Sequence, residues 1–251
     1  VALVTGASRS QGIGIGIARE LARQGANIFI TTYTTYDAHM DWGSEPTAPM
    51  RFVAEFARMG VTASSLEVDL AQPDAPQRVF DEAEQHVGSV DILVNNAAVS
   101  INADIDNLTA DLLDQHYQVN VRGMMLLCRE FVKRWDAHGK TRNGRIINLT
   151  SGQGIGPMPD ELPYAATKGA VDAFTLSLSA GVATRGITVN AIDPGITQTG
   201  WISDELHEQF KRQHPAGRIG TPADAARLVA WLASDQAAWV TGQIIRSRGG
   251  L

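Results

Sequence analysis

Residues 1–14 read VALVTGASRSQGIG: a short apolar run, a turn with three glycines and the start of an amphipathic stretch. The run predicts a buried strand at Ala2–Thr5, and the stretch predicts a helix at Ile13–Gln24. Glycines in a strand-to-helix turn let the backbone bend tightly and approach a pyrophosphate, whose charge is favoured at a helix N-terminus. The position of this turn directly after the first strand indicates a dinucleotide site.

Short apolar or β-branched runs alternate with amphipathic stretches along the rest of the chain. This pattern is typical of βαβ units, in which helices cover both faces of a parallel sheet. The predicted fold class is α/β: a single-domain, doubly wound parallel sheet of the Rossmann type over residues 1–251. Ligands bind such sheets along the edge where the strands' carboxyl ends meet. The predicted strands are Ala2–Thr5, Asn27–Thr31, Thr62–Val68, Asp91–Asn95, Arg145–Ser151, Thr188–Asp193 and Gln243–Arg246, and the predicted helices include Ile13–Gln24, Leu162–Ala183 and Ala223–Ala233.

Composition restricts the class of partner. The 251 residues are 44% hydrophobic and 19% charged, with a formal net charge of −6, which fits one globular domain. No basic block suggests nucleic acid or an anionic membrane as partner, and no apolar run reaches the roughly 18 residues of a membrane span. We expect a small-molecule substrate and no metal site. Cys128 is the only cysteine, so no intrachain disulfide can form, which fits a cytoplasmic protein, and the stretch around it predicts a buried helix.

Two segments break the regular alternation. Tyr33–Pro49 is rich in Thr, Asp, Gly and Pro, and it predicts a long loop. We favour surface decoration for it slightly over a role near the adenosine end of a cofactor. Gly195–Pro215 follows a strand end and contains a short charged helix pattern, so it is a candidate substrate lid.

Tyr164 and Lys168 are four residues apart in a predicted helix, so phenol and ammonium share one helix face. A phenol with a pKa near ~10 is a poor acid or base at neutral pH, and a nearby cation lowers that pKa. Such a pair alone is usually a solvated helix face. Ser151 adds a hydroxyl at a strand end on the expected ligand edge. A serine hydrolase would also need a histidine base, but the six histidines lie in loops or polar helix stretches.

Taken in order, these residues resemble the short-chain dehydrogenase/reductase family over essentially the whole chain. The family's motifs are matched by Gly6, Gly12 and Gly14, by Asn95-Asn96-Ala97-Ala98, by Asn120-Val-Arg-Gly123, by Ser151, Tyr164 and Lys168, and by Asp193-Pro194-Gly195 with Thr199. The resemblance implies an NAD(P)-dependent enzyme that acts on alcohol or carbonyl groups, and it implies a homotetramer.

The resemblance also implies residue roles. Tyr164 would be the general acid for reduction or the base for oxidation, Ser151 would hold the carbonyl oxygen, and Lys168 would contact the ribose and lower the phenol pKa. Asn120 would anchor a water in the proton relay, and the nicotinamide would supply the hydride. The implied cofactor contacts, with Asp69 reaching the adenine, are Gly6, Ser8, Arg9, Gly12, Ile13, Gly14, Asp69, Leu70, Asn96, Ala97, Tyr164, Lys168, Pro194, Gly195 and Thr199.

Three features depart from the family pattern. Ser10-Gln11 is inserted after Arg9, so the phosphate loop can bulge. Ala98 replaces a glycine, and Arg248 stands where relatives often have an aspartate before Gly-Gly. We expect neither Ala98 nor Arg248 to touch the chemistry.

The end of the second predicted strand bears on cofactor choice. An acidic side chain there binds the ribose hydroxyls of NAD and repels the extra phosphate of NADP. The sequence instead reads Ile30-Thr31-Thr32-Tyr33, with no carboxylate until Asp37, and Arg9 is a candidate phosphate partner. NADP, as NADPH, is the expected cofactor, with NAD as the alternative.

The nearest general resemblance is to 3-oxoacyl-carrier-protein reductases. Recognition of an acidic carrier protein needs a basic patch, and the basic residues within 129–145 are also typical of solvated helix and loop. An acyl thioester and a small ketone, sugar or alcohol therefore both remain as substrates. An NAD-dependent alcohol dehydrogenase is the rival enzyme. An enoyl reductase is disfavoured, because that branch spaces its Tyr and Lys more widely than Tyr164 and Lys168. A catalytically silent nucleotide sensor or scaffold is the rival from another class.

Overall fold

A computed structural model describes residues 1–141 and 143–250. Its parallel strands form a seven-stranded sheet in the order β3-β2-β1-β4-β5-β6-β7, which confirms the predicted fold class. The strands are β1 (Ala2–Val4), β2 (Ile28–Thr32), β3 (Ala63–Glu67), β4 (Ile92–Asn95), β5 (Gly144–Leu149), β6 (Ile187–Asp193) and β7 (Ile244–Arg246). Strand β5 ends two residues before the predicted limit, Ser151.

Helices cover both faces of the sheet. They are α1 (Ile13–Arg23), α2 (Thr34–Ala38), α3 (Ala48–Arg58), α4 (Ala75–His86), α5 (Ala110–His116), α6 (Met124–Ala137), α7 (Leu162–Val182), α8 (Asp204–Gln213) and α9 (Pro222–Ala233). A π-helical turn, Tyr117–Gly123, joins α5 to α6. No helix of the described chain is both long and apolar enough to span a membrane.

The central strands are apolar on both faces, as a covered parallel sheet requires. In β1, Ala2 and Val4 pack into one core with α1, α3 and α9, whereas Leu3 packs into the other with α4, α6 and α7. Cys128 lies in that second core, and burial raises the pKa of its thiol to about 12. The predicted buried helix around Cys128 is therefore confirmed.

The segment Tyr33–Pro49 is not the continuous loop that the sequence predicts. It contains the short helix α2, and α3 begins at Ala48 with Pro49 in its first turn. Proline suits that position because its ring presets the helical φ and the missing N–H has no intrahelical partner there. The charged helix pattern within Gly195–Pro215 forms α8, which Ser203 caps by accepting a hydrogen bond from the Leu206 N–H.

A buried polar chain connects the sheet to α7. The Asn95 amide on β4 donates to Asn148 Oδ1 on β5 at 2.9 Å. The Asn148 amide in turn donates to Thr175 Oγ1 on α7 at 2.9 Å. These bonds set the position of α7, which carries Tyr164 and Lys168, relative to the strand ends.

Replacing Thr175 with valine keeps the side-chain shape but removes the acceptor of the Asn148 amide. We expect the free energy of unfolding to fall by about 1–3 kcal/mol, because a buried donor is left unpaired, as measured by urea titration. Thr175→Ser retains the hydroxyl and is the matched control. Equal losses in the two variants would show that the hydrogen bond contributes nothing.

Candidate active site

A cleft of about 1560 Å³ lies at the edge where the carboxyl ends of the strands meet. This volume exceeds the roughly 300–1,000 Å³ of a single-ligand pocket, so it suits a dinucleotide together with a substrate. Most predicted site residues line it: Gly6, Ser8, Arg9, Gly12, Ile13, Asp69, Leu70, Asn96, Ala97, Ser151, Tyr164, Pro194, Gly195 and Thr199. Gly14, Asn120 and Lys168 lie behind this lining.

The glycine turn packs tightly against the turn that follows β4. Gly6 has a φ of +69°, and a Cβ on it would lie 2.7 Å from the Ala97 Cα. A Cβ on Gly14 would lie 2.6 Å from both the Gly6 carbonyl oxygen and Asn96 Nδ2. The Asn96 amide donates to the carbonyl oxygens of Thr5 and Gly6 at 2.8 and 2.9 Å. Glycine is required at both positions, and the start of α1 is left facing the cleft.

This open helix start fits the pyrophosphate of a nicotinamide dinucleotide. Gly12 caps α1 without a side chain, and no acidic residue lies in the first turn. The free N–H groups and the helix dipole there favour an anion. Gly6, Ser8, Gly12 and Ile13 are the residues that would hold it.

Arg9 is engaged by other parts of the chain. Its Nε lies 3.5 Å from Asp37 Oδ1, its guanidinium lies 4.4 Å from the Trp42 ring centroid, and Nη1 donates to the Thr199 carbonyl oxygen at 2.9 Å. The Trp42 indole also donates to Asp37 Oδ1 at 2.9 Å. The role of Arg9 as a phosphate partner stays a prediction, and in the structure a carboxylate already faces its guanidinium.

The favoured interpretation of Tyr33–Pro49 as surface decoration is wrong. The inserted Ser10 contacts Glu45 through its N–H and its hydroxyl, at 2.9 and 2.5 Å. The Ser100 N–H donates to the Tyr36 hydroxyl at 3.0 Å, and Tyr36, Asp37 and Trp42 line the cleft. The segment therefore forms part of the cleft wall near the glycine turn.

Tyr164 and Lys168 lie together on α7, with Nζ 5.3 Å from the phenol ring centroid. Burial raises the pKa of Tyr164, and the neighbouring Ser151 side chain acts in the opposite direction. The expected lowering of the phenol pKa is therefore not found, because burial outweighs it. Burial lowers the pKa of Lys168 to about 8, while Asp172 opposes that shift. The Lys168 ammonium donates to the Leu149 carbonyl oxygen at 2.7 Å.

Asn120 lies in the π-helical turn, a feature frequent at functional sites. Its Oδ1 accepts from the Val99 N–H at 2.8 Å, and its Nδ2 donates to the Val99 carbonyl oxygen at 2.8 Å and to Thr167 Oγ1 at 3.1 Å. The side chain thus braces the loop after β4 against α7. Its role as a water anchor stays a prediction.

Sequence reasoning assigned no role in the site to two residues that lie near it. Asp172 accepts from the Gln153 amide at 2.5 Å, and its place one turn after Lys168 was the available signal. Arg248 lines the cleft, and its Nε lies 2.5 Å from Asp193 Oδ2. The expectation that Arg248 does not touch the chemistry stays a prediction, although β7 ends beside β6 and brings this side chain to the same edge of the sheet.

The fold and the site together define a class of protein: an oxidoreductase that uses a nicotinamide cofactor on alcohol or carbonyl groups. A family model described as enoyl-(acyl carrier protein) reductase matches residues 6–251. An oxidoreductase of Bacillus subtilis with no characterised role is 47% identical over 250 residues, which cover 100% of this chain and 96% of the relative. A 3-oxoacyl-(acyl-carrier-protein) reductase of Staphylococcus aureus is 37% identical over 257 residues, covering 100% and 97%.

Solved structures agree with these relatives. A gluconate 5-dehydrogenase from Burkholderia cenocepacia in complex with NADP and tartrate has a TM-score of 0.85 at 32% identity, covering 100% of this chain and 94% of its own. The chain belongs to the short-chain dehydrogenase/reductase family.

Lys168 is a buried cation, so its charge should destabilise the fold. Its ordinary pKa of 10.5 falls to about 8 in the folded protein. Below pH 8 the amine is protonated in both states, and the folded state carries the full cost of burial. Between pH 8 and 10.5 only the unfolded chain is protonated, so stability rises with pH and the cost disappears.

We therefore expect Lys168→Met to raise the free energy of unfolding by about 1–3 kcal/mol at pH 7, and by less as the pH approaches 10. Urea titrations at several pH values measure this. Lys211→Met, on an exposed side chain of α8, should change stability by less than about 0.5 kcal/mol. A loss of stability in Lys168→Met at pH 7 would contradict the prediction.

Proposed function

We propose that the protein is an NADP-dependent reductase that converts a carbonyl group to an alcohol. The observation that carries this proposal is that Tyr164 and Ser151 line the same cleft as the glycine turn, with Lys168 one helical turn behind the phenol. A silent nucleotide sensor would not need a phenol, a hydroxyl and a buried ammonium at this position.

In the proposed reduction, three side chains each have a separate role. Ser151 donates a hydrogen bond to the substrate carbonyl oxygen, and the Tyr164 hydroxyl gives its proton to that oxygen as it becomes an alkoxide. Bound nicotinamide supplies the hydride. The Lys168 ammonium, which is cationic below pH 8, stabilises the phenolate that remains. Burial raises the pKa of Tyr164, so the phenol holds its proton until charge develops on the substrate oxygen.

Replacing Tyr164 with phenylalanine removes this proton donor without removing the ring. We expect kcat for NADPH-dependent ketone reduction to fall by roughly 10²–10⁴-fold, while a fluorescence titration still detects NADPH binding. The assay uses a panel of 3-oxoacyl thioesters, small ketones and sugars, with NADH alongside NADPH. Turnover within tenfold of the wild-type rate would mean that Tyr164 is not the acid.

NADP is supported by Thr31, Thr32 and Tyr33 at the end of β2, where no carboxylate occurs. The solved Burkholderia cenocepacia relatives with NADP bound are consistent with it. Asp37 acts against it, because its carboxylate lies beside Arg9. Cofactor preference therefore depends on whether the Arg9 guanidinium can bind the additional phosphate of NADP while it also contacts Asp37.

We expect NADPH to bind more tightly than NADH, and Asp37→Asn to widen that difference by about fivefold, since a negative charge near the phosphate costs ~1 kcal/mol. Fluorescence titrations of both cofactors measure the difference. Asp74→Asn, which removes an ion-paired carboxylate outside the cleft lining, is the matched control. Tighter binding of NADH by the wild-type enzyme would favour the alternative, an NAD-dependent dehydrogenase of a small alcohol or sugar.

For the substrate, a 3-oxoacyl thioester is one candidate, supported by the Staphylococcus aureus relative. We also propose a cytoplasmic homotetramer. Large apolar side chains on α7, α9 and β7, and in the segment between α9 and β7, support assembly, because such patches on a protein surface often mark contacts. These are Leu176, Trp231, Trp239 and Ile244, of which Trp239 is 98% exposed.

A further inference from the structure

Arg248 lines the cleft together with Ser151, and hydrogen bonds position its backbone from two sides. The Ser247 N–H pairs with the Asp193 carbonyl oxygen at 2.8 Å, continuing the register of β7 on β6. On its other side, the Arg248 carbonyl oxygen lies 2.9 Å from His214 Nε2, in the segment after α8. The backbone of Arg248 is therefore fixed between β6 and the candidate lid.

Asp193 orients the guanidinium through one nitrogen only. Its Oδ2 accepts from Arg248 Nε at 2.5 Å, and its Oδ1 accepts from the Gly195 N–H at 3.0 Å. Both carboxylate oxygens are thus used. In the described part of the chain, Nη1 and Nη2 of Arg248 make no hydrogen bond, although the side chain is 17% exposed. The N–H groups of Nη1 and Nη2 can therefore donate hydrogen bonds to a ligand.

Two glycines make room for this side chain beside the reacting groups. A Cβ on Gly195 would lie 2.8 Å from Arg248 Cγ, and a Cβ on Gly152 would meet Nη2 at 2.1 Å. Gly152 follows Ser151, and Gly195 follows Pro194, and all of them line the cleft with Arg248. The free edge of the guanidinium is therefore next to the residue proposed to hold the carbonyl oxygen.

The carboxyl group of Glu161, which also lines the cleft, forms no ion pair with Arg248 in the described residues. Glu161 lines the cleft near the start of α7, and burial raises its pKa, with Asp160 acting in the same direction. A raised pKa favours the neutral carboxyl. No ion pair joins Glu161 to a cation in the described residues.

We propose that Arg248 binds a carboxylate of the substrate, so that the substrate is a small oxo acid and the product a hydroxy acid. The two terminal nitrogens of a guanidinium match the two oxygens of a carboxylate in a bidentate pair. Because Ser151 and Arg248 are adjacent in the cleft wall, the carbonyl and carboxylate belong to the same small molecule. This inference rests on the proposed carbonyl reduction and narrows it.

The test compares oxo acids of three to six carbons with their methyl esters, which keep the carbonyl but lose the charge. The wild-type enzyme should prefer the acids in kcat/KM. Arg248→Met should lower kcat/KM for the acids by roughly 10- to 100-fold, mainly through KM, because a charge-assisted pair is lost. Activity on the esters should change by less than about threefold.

Arg248→Lys keeps the positive charge but loses the two terminal nitrogens that bind a carboxylate in a bidentate pair. Its kcat/KM for the oxo acids should lie between that of the wild type and that of Arg248→Met. It also serves if Arg248→Met does not fold. Arg246→Met, on an exposed residue two positions earlier, is the matched control and should leave the acid preference unchanged. Equal losses on acids and esters, or a wild-type preference for the esters, would overturn the proposal.

A binding measurement separates this inference from the proposed function. Malonate should raise the melting temperature of the wild-type protein in the presence of NADPH, whereas malonamide should not, and Arg248→Met should abolish the difference. If no ketone is reduced but this pattern holds, carbonyl reduction is wrong while Arg248 is still an anion site. If ketones are reduced and malonate has no effect, the role of Arg248 is wrong.

Discussion

The close approach of the turns that follow β1 and β4 is the constraint on which the site depends. In the order β3-β2-β1-β4-β5-β6-β7, the first three strands are added toward one edge of the sheet and the last four toward the other. Open α/β sheets bind ligands at the point where this order switches, which here lies between β1 and β4. Gly6 lies so near Ala97 that no side chain fits between them, and Asn96 spans the gap with two hydrogen bonds. The first helix must therefore start at the cleft, where its unpaired N–H groups are available for an anion.

The sheet and the candidate residues Ser151, Tyr164 and Lys168 could be predicted from the sequence, because both depend on local sequence patterns. Short apolar runs that alternate with amphipathic stretches indicate strands, and a glycine turn gains weight as a dinucleotide signal from its position directly after the first strand. The partners of Arg9 were not predictable, since its hydrogen bond to Thr199 joins residues 190 positions apart. The same holds for Arg248 and Asp193, which meet only because β7 pairs with β6. Helix α2 was missed because its residues are poor helix formers, and its position depends on contacts with the glycine turn.

Burial controls the chemistry of the Tyr164–Lys168 pair more than their mutual proximity does. A phenol and an amine removed from water are both biased toward their neutral forms, so the pKa of Tyr164 rises and that of Lys168 falls. A protonated phenol can donate its proton to a substrate oxygen. An ammonium group that makes a single hydrogen bond to the protein can also interact with a bound ligand. The cost of this arrangement falls on stability, since one hydrogen bond to Leu149 does not replace the hydration of an ammonium.

Arginine and aspartate are paired at both ends of the cleft, but the two pairs leave different groups available. Arg9 is stacked on Trp42, faces Asp37 and donates to the Thr199 carbonyl oxygen, so a phosphate must share a guanidinium that three groups already contact. Arg248 gives Asp193 only its Nε, and two glycines let its remaining nitrogens lie beside Ser151. Discrimination by charge is therefore expected to be stronger at the substrate end of the cleft than at the ribose end, because among the described residues the terminal nitrogens of Arg248 make no hydrogen bond, whereas Arg9 is contacted on several sides.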